Sequence, residues 1–208
     1  MQKQKSLIKI YDELLKKYSY QGWWPIKGKY HPKNYDFPKN EKQSFEIMIG
    51  AILTQNTSWK NAEKAIYLLS KKNLVTPKSL LDISHHKLSK LIISSGYHNQ
   101  KARKLKEFSN FYLQNKNYLQ KEKDYNKLRE KLLSVWGIGK ETADSILLYA
   151  CKKPIFIVDT YTKRLFSSLL KINFPDYDSW QNFFHINLPL NYKLFNEFHA
   201  LIVAEGKL

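Results

Sequence analysis

The sequence predicts an all-α fold on three observations. Apolar residues recur at helical spacing along nearly the whole chain, no useful length alternates with period 2, and βαβ spacing is absent. The 208 residues are 43% hydrophobic, enough to bury a core in one large or two small domains.

The elements follow in order. MQKQKSLIKIYDELL begins an amphipathic helix over about 5–18; Asp12, Glu13 and the lack of a small-residue cleavage site argue against a signal peptide. The aromatic, Pro-rich stretch from Tyr20 to Pro38 is the best linker candidate. SFEIMIGAILTQ (44–55) is apolar on nearly every side and predicts a buried helix. SWKNAEKAIYLLSKK (58–72) places Ala62, Ala65, Ile66 and Leu69 on one face, with Ser58 as N-cap. Thr76-Pro77 breaks the chain before short helices at about 78–83 and 85–93. SSGYHNQ (94–100) is loop-like and leads into a basic helix, KARKLKEFSNFYLQNK. A helix over 124–134 ends in the Gly turn of VWGIGKETAD (135–144), and ETADSILLYAC (141–151) is helical until Lys152-Lys153-Pro154. IFIVD (155–159) is extended or irregular, and residues 152–158 are a second linker candidate. TYTKRLFSSLL (160–170) is helical with Asp159 at its N-cap, and helices at about 178–187 and 190–204 complete the chain.

Lys plus Arg number 35 against 18 Asp plus Glu, a formal net charge of +17. This balance points to a polyanionic partner, nucleic acid or an acidic membrane surface, or else to a heavily solvated Lys-rich surface. No run of 18 apolar residues is present, which excludes a transmembrane helix. Cys151 is the only cysteine, so this chain alone builds no internal disulfide, CxxC zinc site or four-Cys iron–sulfur cluster. Following ILLYA, it reads as a small core residue. The six His residues show no HxxxH or HxxH spacing, and no metal site is expected.

The turn at Gly137-Ile138-Gly139 has two readings. It is a helix C-cap and tight turn, or a loop whose amides receive an anion at the positive end of the next helix, with Lys140 beside it. Asp159 lies 20 residues after Gly139 and is a simple N-cap, a catalytic carboxylate, or both.

Three motifs in order then carry a resemblance. WGIGKETADSILLYACKKPIFIVDTYTKRL resembles the helix-hairpin-helix and downstream aspartate signature of the endonuclease III superfamily of DNA glycosylases. LTQNTSWKNA (53–62) and SGYHNQKARKL (95–105) are similar to its other two motifs, together spanning about residues 44–170. Trp23-Trp24-Pro25 followed by FEIMIGAILTQNT looks like the 3-methyladenine DNA glycosylase III branch, over nearly the whole chain.

The resemblance implies two helical domains flanking a cleft that receives a flipped base. One would be a helical bundle, 41–151, with the hairpin at about 128–150; the other, 1–40 plus 152–208, would be formed by both termini. It implies Asp159 as the catalytic carboxylate, a base pocket of Trp23, Trp24, Pro25, Phe45 and Lys207, and phosphate contacts from Gly137, Ile138, Gly139 and Lys140. Tyr97 would be a wedge and Gln55 a plug in the gap left by the flipped nucleotide. Leu201 departs from the branch, where a modified lysine has been found, so no role is carried over. Bifunctional relatives have a nucleophilic lysine two residues after the second hairpin Gly; here Glu141 stands there. Lys140, one residue early, is rotated about 100° away. The expected enzyme is a monofunctional, monomeric repair glycosylase for alkylated purines such as 3-methyladenine, working on double-stranded DNA in the cytoplasm at the nucleoid, with no membrane partner. No cofactor is expected, unless cysteines of an iron–sulfur cluster lie beyond Leu208. The alternatives are a bifunctional endonuclease III-like enzyme acting on oxidised pyrimidines, which Glu141 opposes, and a non-catalytic helix-hairpin-helix clamp, which needs neither Asp159 nor an aromatic pocket.

Overall fold

A computed structural model describes the backbone of residues 2–207 and the side chains of residues 4–207. Among these residues eleven α-helices occur and no strand, only an isolated bridge between Ile26 and Lys29. They are α1 (Gln2–Tyr18), α2 (Glu41–Leu53), α3 (Trp59–Lys71), α4 (Pro77–Asp82), α5 (His85–Leu91), α6 (His98–Lys121), α7 (Tyr125–Leu133), α8 (Lys140–Ser145), α9 (Thr160–Leu170), α10 (Tyr177–Asn187) and α11 (Tyr192–Gly206). No helix is long and apolar enough to cross a membrane among the described residues.

Local chemistry sets most boundaries. Side chains of Asn40, Thr76, Ser84, Asp124, Asp159, Asp176 and Asn191 accept amide hydrogen bonds at the starts of their helices. Ser58 occupies the N-cap position of α3 in extended geometry but its hydroxyl makes no capping bond, so the expected cap is positional only.

α2 is the central element. It is buried from Phe45 to Leu53 and packs on α3, α6 and α8. Its C-terminal end is held by Lys101, which is 2% exposed and donates from Nζ to Leu53 O at 2.9 Å and Ser95 O at 2.6 Å. One ammonium thereby joins the end of α2 to the loop before α6. Burial, with Lys104 nearby, brings the Lys101 pKa down to about 8. Lys101→Met keeps the aliphatic stem but orphans both carbonyls, and is expected to cost about 2–4 kcal/mol, read as a lower urea midpoint. The sign with pH follows from linkage: above pH 8 the unfolded chain still holds the lysine proton that the folded protein releases. The stability gap between wild type and Lys101→Met therefore widens from about pH 8 to 10.

The N-terminal segment runs back onto the C-terminal helix. Glu197, fully buried on α11, accepts from Gln21 N at 2.6 Å and from Tyr35 Oη at 2.8 Å. Glu205 accepts from Tyr18 Oη at 2.6 Å and Lys17 Nζ at 2.9 Å. α1 packs on α11 and α10.

The helix expected over 141–151 is not uniform. α8 passes into a π turn, Ile146–Ala150, closed by Cys151 N to Ile146 O at 3.1 Å. Such turns insert a residue and redirect the side chains beyond, often at functional sites; this one carries Tyr149. The connector Ile155–Val158 is irregular and buried, at 0–1% exposure. α10 satisfies its backbone: Phe156 N donates to His185 Nε2 at 2.9 Å, Gln181 Nε2 donates to Phe156 O at 2.6 Å, and Val158 N donates to Tyr177 Oη at 3.3 Å. Burial brings the His185 pKa down to about 4, which keeps its accepting nitrogen unprotonated. This scaffold delivers Asp159 to the start of α9.

Candidate active site

A cavity of about 500 Å³ opens between α2, α3, the α8–π segment, α9 and α11. The size suits a small organic group. Its aromatic side is built from Trp23, Trp24, Trp59 and Tyr149. Each pair among the three tryptophans meets edge to face, with centroids 4.9–5.3 Å apart, and Trp24 meets Tyr149 at 5.3 Å. Trp24 can lie this low because Gly50 faces it: a Cβ there would stand 3.1 Å from the indole. Lys207 Nζ stands 5.9 Å from the Trp23 ring centroid and also lines the cavity.

Asp159 lies in the same cavity. Its Oδ1 is committed to the helix, accepting from Thr162 N at 2.7 Å and Thr162 Oγ1 at 2.9 Å. Its Oδ2 has His199 Nε2 at 3.5 Å. Burial raises the carboxyl pKa, but the His199 imidazole and the two Thr162 donors outweigh it, and the net shift is downward. Glu141, exposed where it lines the cavity, shifts the other way, held up by partial desolvation and by the charge of Asp159. The two carboxyls are pushed apart in proton affinity.

Two residues expected in the pocket are elsewhere. Phe45 is 1% exposed and packs on Phe108 and Tyr112 in the core, because the inward face of α2 at that level meets α6 and not the cavity. Pro25 is buried and does not line the cavity. Trp59 was missed: at the first position of α3 it reads in sequence as a helix-start residue, and only folding brings it onto Trp23. Tyr149 and His199 were also missed, since nothing in the sequence signals the π turn that aims the first or the approach of α11 that brings the second. Leu201 is fully buried core.

The hairpin has its own geometry. Gly137 takes φ +84°, and a Cβ there would collide with the Lys104 stem. Gly139 does not need glycine's freedom: its φ is −94°, and a Cβ would meet nothing within 4 Å. Its bareness leaves open space beside the first turn of α8. The Ile138 amide is not free for an anion, because it donates to Val135 O at 3.1 Å, and its side chain is 6% exposed. Lys140 Nζ sits 2.5 Å from Asp178 Oδ2, so a phosphate would have to compete with that carboxylate. Gln55 is fully engaged: Nε2 donates to Gly137 O at 3.0 Å and Thr142 Oγ1 at 2.9 Å, and Oε1 accepts from Lys104 Nζ at 2.5 Å. It ties α2 to the hairpin, and inserting it into DNA would break three hydrogen bonds. Tyr97 is 66% exposed in left-handed conformation at the start of α6, beside the loop that Lys101 anchors. Cys151 is held by burial up to about 12, far from thiolate formation at neutral pH. No group of three or more metal-ligating side chains gathers among the described residues.

Known proteins resemble this chain over nearly all its length. The family model for the HhH-GPD superfamily base excision DNA repair protein matches residues 49–184. A Methanocaldococcus jannaschii protein that carries the name of a DNA repair glycosylase is 42% identical over 206 residues, 97% of this chain and 87% of its own. Endonuclease III of Thermotoga maritima is 34% identical over 138 residues, 64% of this chain and 61% of its own. Among solved structures, the H. pylori 3-methyladenine DNA glycosylase bound to 1,N6-ethenoadenine superposes with a TM-score of 0.74 at 31% identity, covering 99% of this chain and 96% of that one. A trapped endonuclease III–DNA covalent intermediate shares the fold, with a TM-score of 0.73 at 18% identity, covering 96% and 84%.

Proposed function

The chain belongs to the HhH-GPD superfamily of base excision DNA repair proteins and is a DNA glycosylase, and from that premise we propose that it is monofunctional and excises alkylated purines such as 3-methyladenine from double-stranded DNA. The observation that carries this reading is an aromatic cavity lined by carboxylates in a strongly basic protein. Three tryptophans form one side of it, and Glu63, Glu141 and Asp159 line it, although the chain as a whole is +17. A purine alkylated at N3 or N7 carries positive charge, and such a base is attracted by aromatic faces and carboxylates.

That positive charge also makes the base a good leaving group. As its glycosidic bond breaks, the sugar becomes oxocarbenium-like, and the Asp159 carboxylate stabilises it and orients or deprotonates the attacking water. Glu141 stands where bifunctional relatives carry their nucleophilic lysine, and Lys140 is turned to Asp178. Hydrolysis without a Schiff base follows. The open space at Gly139 and the first turn of α8 take a phosphate, with Gly137 and Lys140 beside it, and Tyr97 enters the duplex next to the flipped nucleotide. Gln55 supports the hairpin from behind.

The test is incubation with a duplex containing 3-methyladenine, with and without borohydride. Free base should be released and no protein–DNA adduct trapped. Failure to release base overturns the substrate; a trapped adduct overturns monofunctionality, because some lysine must then act as nucleophile.

A further inference from the structure

We propose that His199 is a positioning residue for base excision, which with Tyr149 steers the free oxygen of Asp159; this rests on the assignment of Asp159 as the catalytic carboxylate. Three separate elements converge to make the arrangement: the π turn supplies Tyr149, α11 supplies His199 and the start of α9 supplies Asp159. All three side chains line the cavity.

The two oxygens of Asp159 have different duties. Oδ1 is bound by both Thr162 donors and is fixed to the helix. Oδ2 has no partner of that kind. The nitrogen that faces it is His199 Nε2 at 3.5 Å, too long for a good hydrogen bond, and that buried nitrogen has no hydrogen-bond partner. A buried polar nitrogen left unsatisfied beside a carboxylate is costly to a fold that gains nothing from it.

The orientation of the ring is set from the other side. His199 Nδ1 lies 2.8 Å from Tyr149 Oη. Tyr149 is buried, which holds its phenol protonated far above neutral pH. The phenol can donate to an unprotonated Nδ1, or accept from Nδ1–H of an imidazolium. In both cases Nε2 carries hydrogen and faces Oδ2. The remaining tautomer would set a lone pair against the carboxylate. Tyr149 therefore makes His199 a donor to Asp159, and the 3.5 Å contact can shorten when the sugar closes the site. Only a hydrogen-bonded Oδ2 has its remaining lone pair fixed toward the reacting carbon or its water.

Two measurements test this. In the free enzyme, the imidazole ¹⁵N resonances of His199 should report a protonated Nε2; a neutral ring protonated at Nδ1 overturns the proposal whether or not any substrate is cleaved. In single turnover on duplex containing 3-methyladenine, His199→Phe should slow base release about 10- to 100-fold through misplacement of Oδ2. Affinity for an abasic duplex should stay within about twofold, and His199→Gln, which retains a donor, should recover part of the rate. Tyr149→Phe should slow release less, and should add nothing in a His199→Phe background. An unchanged rate in His199→Phe, or equal losses in the Phe and Gln variants, overturns the role. Absence of base release by the wild type instead overturns the substrate assignment, while the ¹⁵N measurement still decides the role of His199.

Discussion

Asp159→Asn is expected to slow single-turnover base release about a thousandfold while leaving the protein folded. The substitution separates two jobs held by one side chain. As an N-cap, Asp159 needs only an oxygen that accepts from Thr162 N and Oγ1, and asparagine caps nearly as well. As a catalyst it needs negative charge at Oδ2, which asparagine lacks. Asp159→Ala removes both and should add a loss of about 1 kcal/mol in stability. A folded Asp159→Asn protein that releases base at the wild-type rate would remove the carboxylate from the mechanism.

The protonation of Asp159 adds a check with a defined sign. Its folded pKa is depressed, so ionisation stabilises the folded protein above the ordinary carboxylate range, and that contribution disappears as pH falls through the folded value. The difference in melting temperature between wild type and Asp159→Asn should close below about pH 4. For the same reason the wild-type rate should show no loss from protonation of this group between neutrality and about pH 5. Removing the Asp159 charge also removes one of the two causes that hold Glu141 up, so the Glu141 pKa should move down in the variant.

What could be read from the sequence was what local chemistry decides. Capping residues and proline breaks placed α4, α9 and α10 within a residue or two, and Asp159 at the head of α9 was legible because a carboxylate in that position has few other uses. The hairpin was legible as a turn, but which of its amides are free was not, since the Ile138–Val135 hydrogen bond depends on the closed turn. Phe45 and Pro25 are placed in the pocket by likeness to other chains, yet what the Phe45 side chain meets depends on how α2 sits against α6. Trp59, Tyr149 and His199 join the cavity through contacts across 36 residues, a π turn and a terminal helix, none of which leaves a periodic or spacing signal.

Trp23→Leu is expected to lower excision of 3-methyladenine about 30-fold, and Trp23→Phe by no more than about fivefold. A cation on an aromatic face in a desolvated site gains about 2 kcal/mol, and that difference is about 30-fold in rate if it is expressed fully in the transition state. Trp23 is the appropriate position because it is half-buried and lines the cavity, whereas Trp24 is packed on Gly50 and its loss would disturb α2. Leucine preserves apolar area without a ring face, and phenylalanine preserves the face at smaller size. The comparison therefore isolates the π system from simple hydrophobic filling. Lys207 gives the cage a further property. Its ammonium stands over the same Trp23 ring, so an incoming cationic base must displace it, and Lys207→Met should raise affinity for the damaged duplex while Trp23 is intact. Equal losses in the Leu and Phe variants would mean that the tryptophans act as a hydrophobic wall, and the preference for a positively charged base would then have to come from Glu63, Glu141 and Asp159 alone.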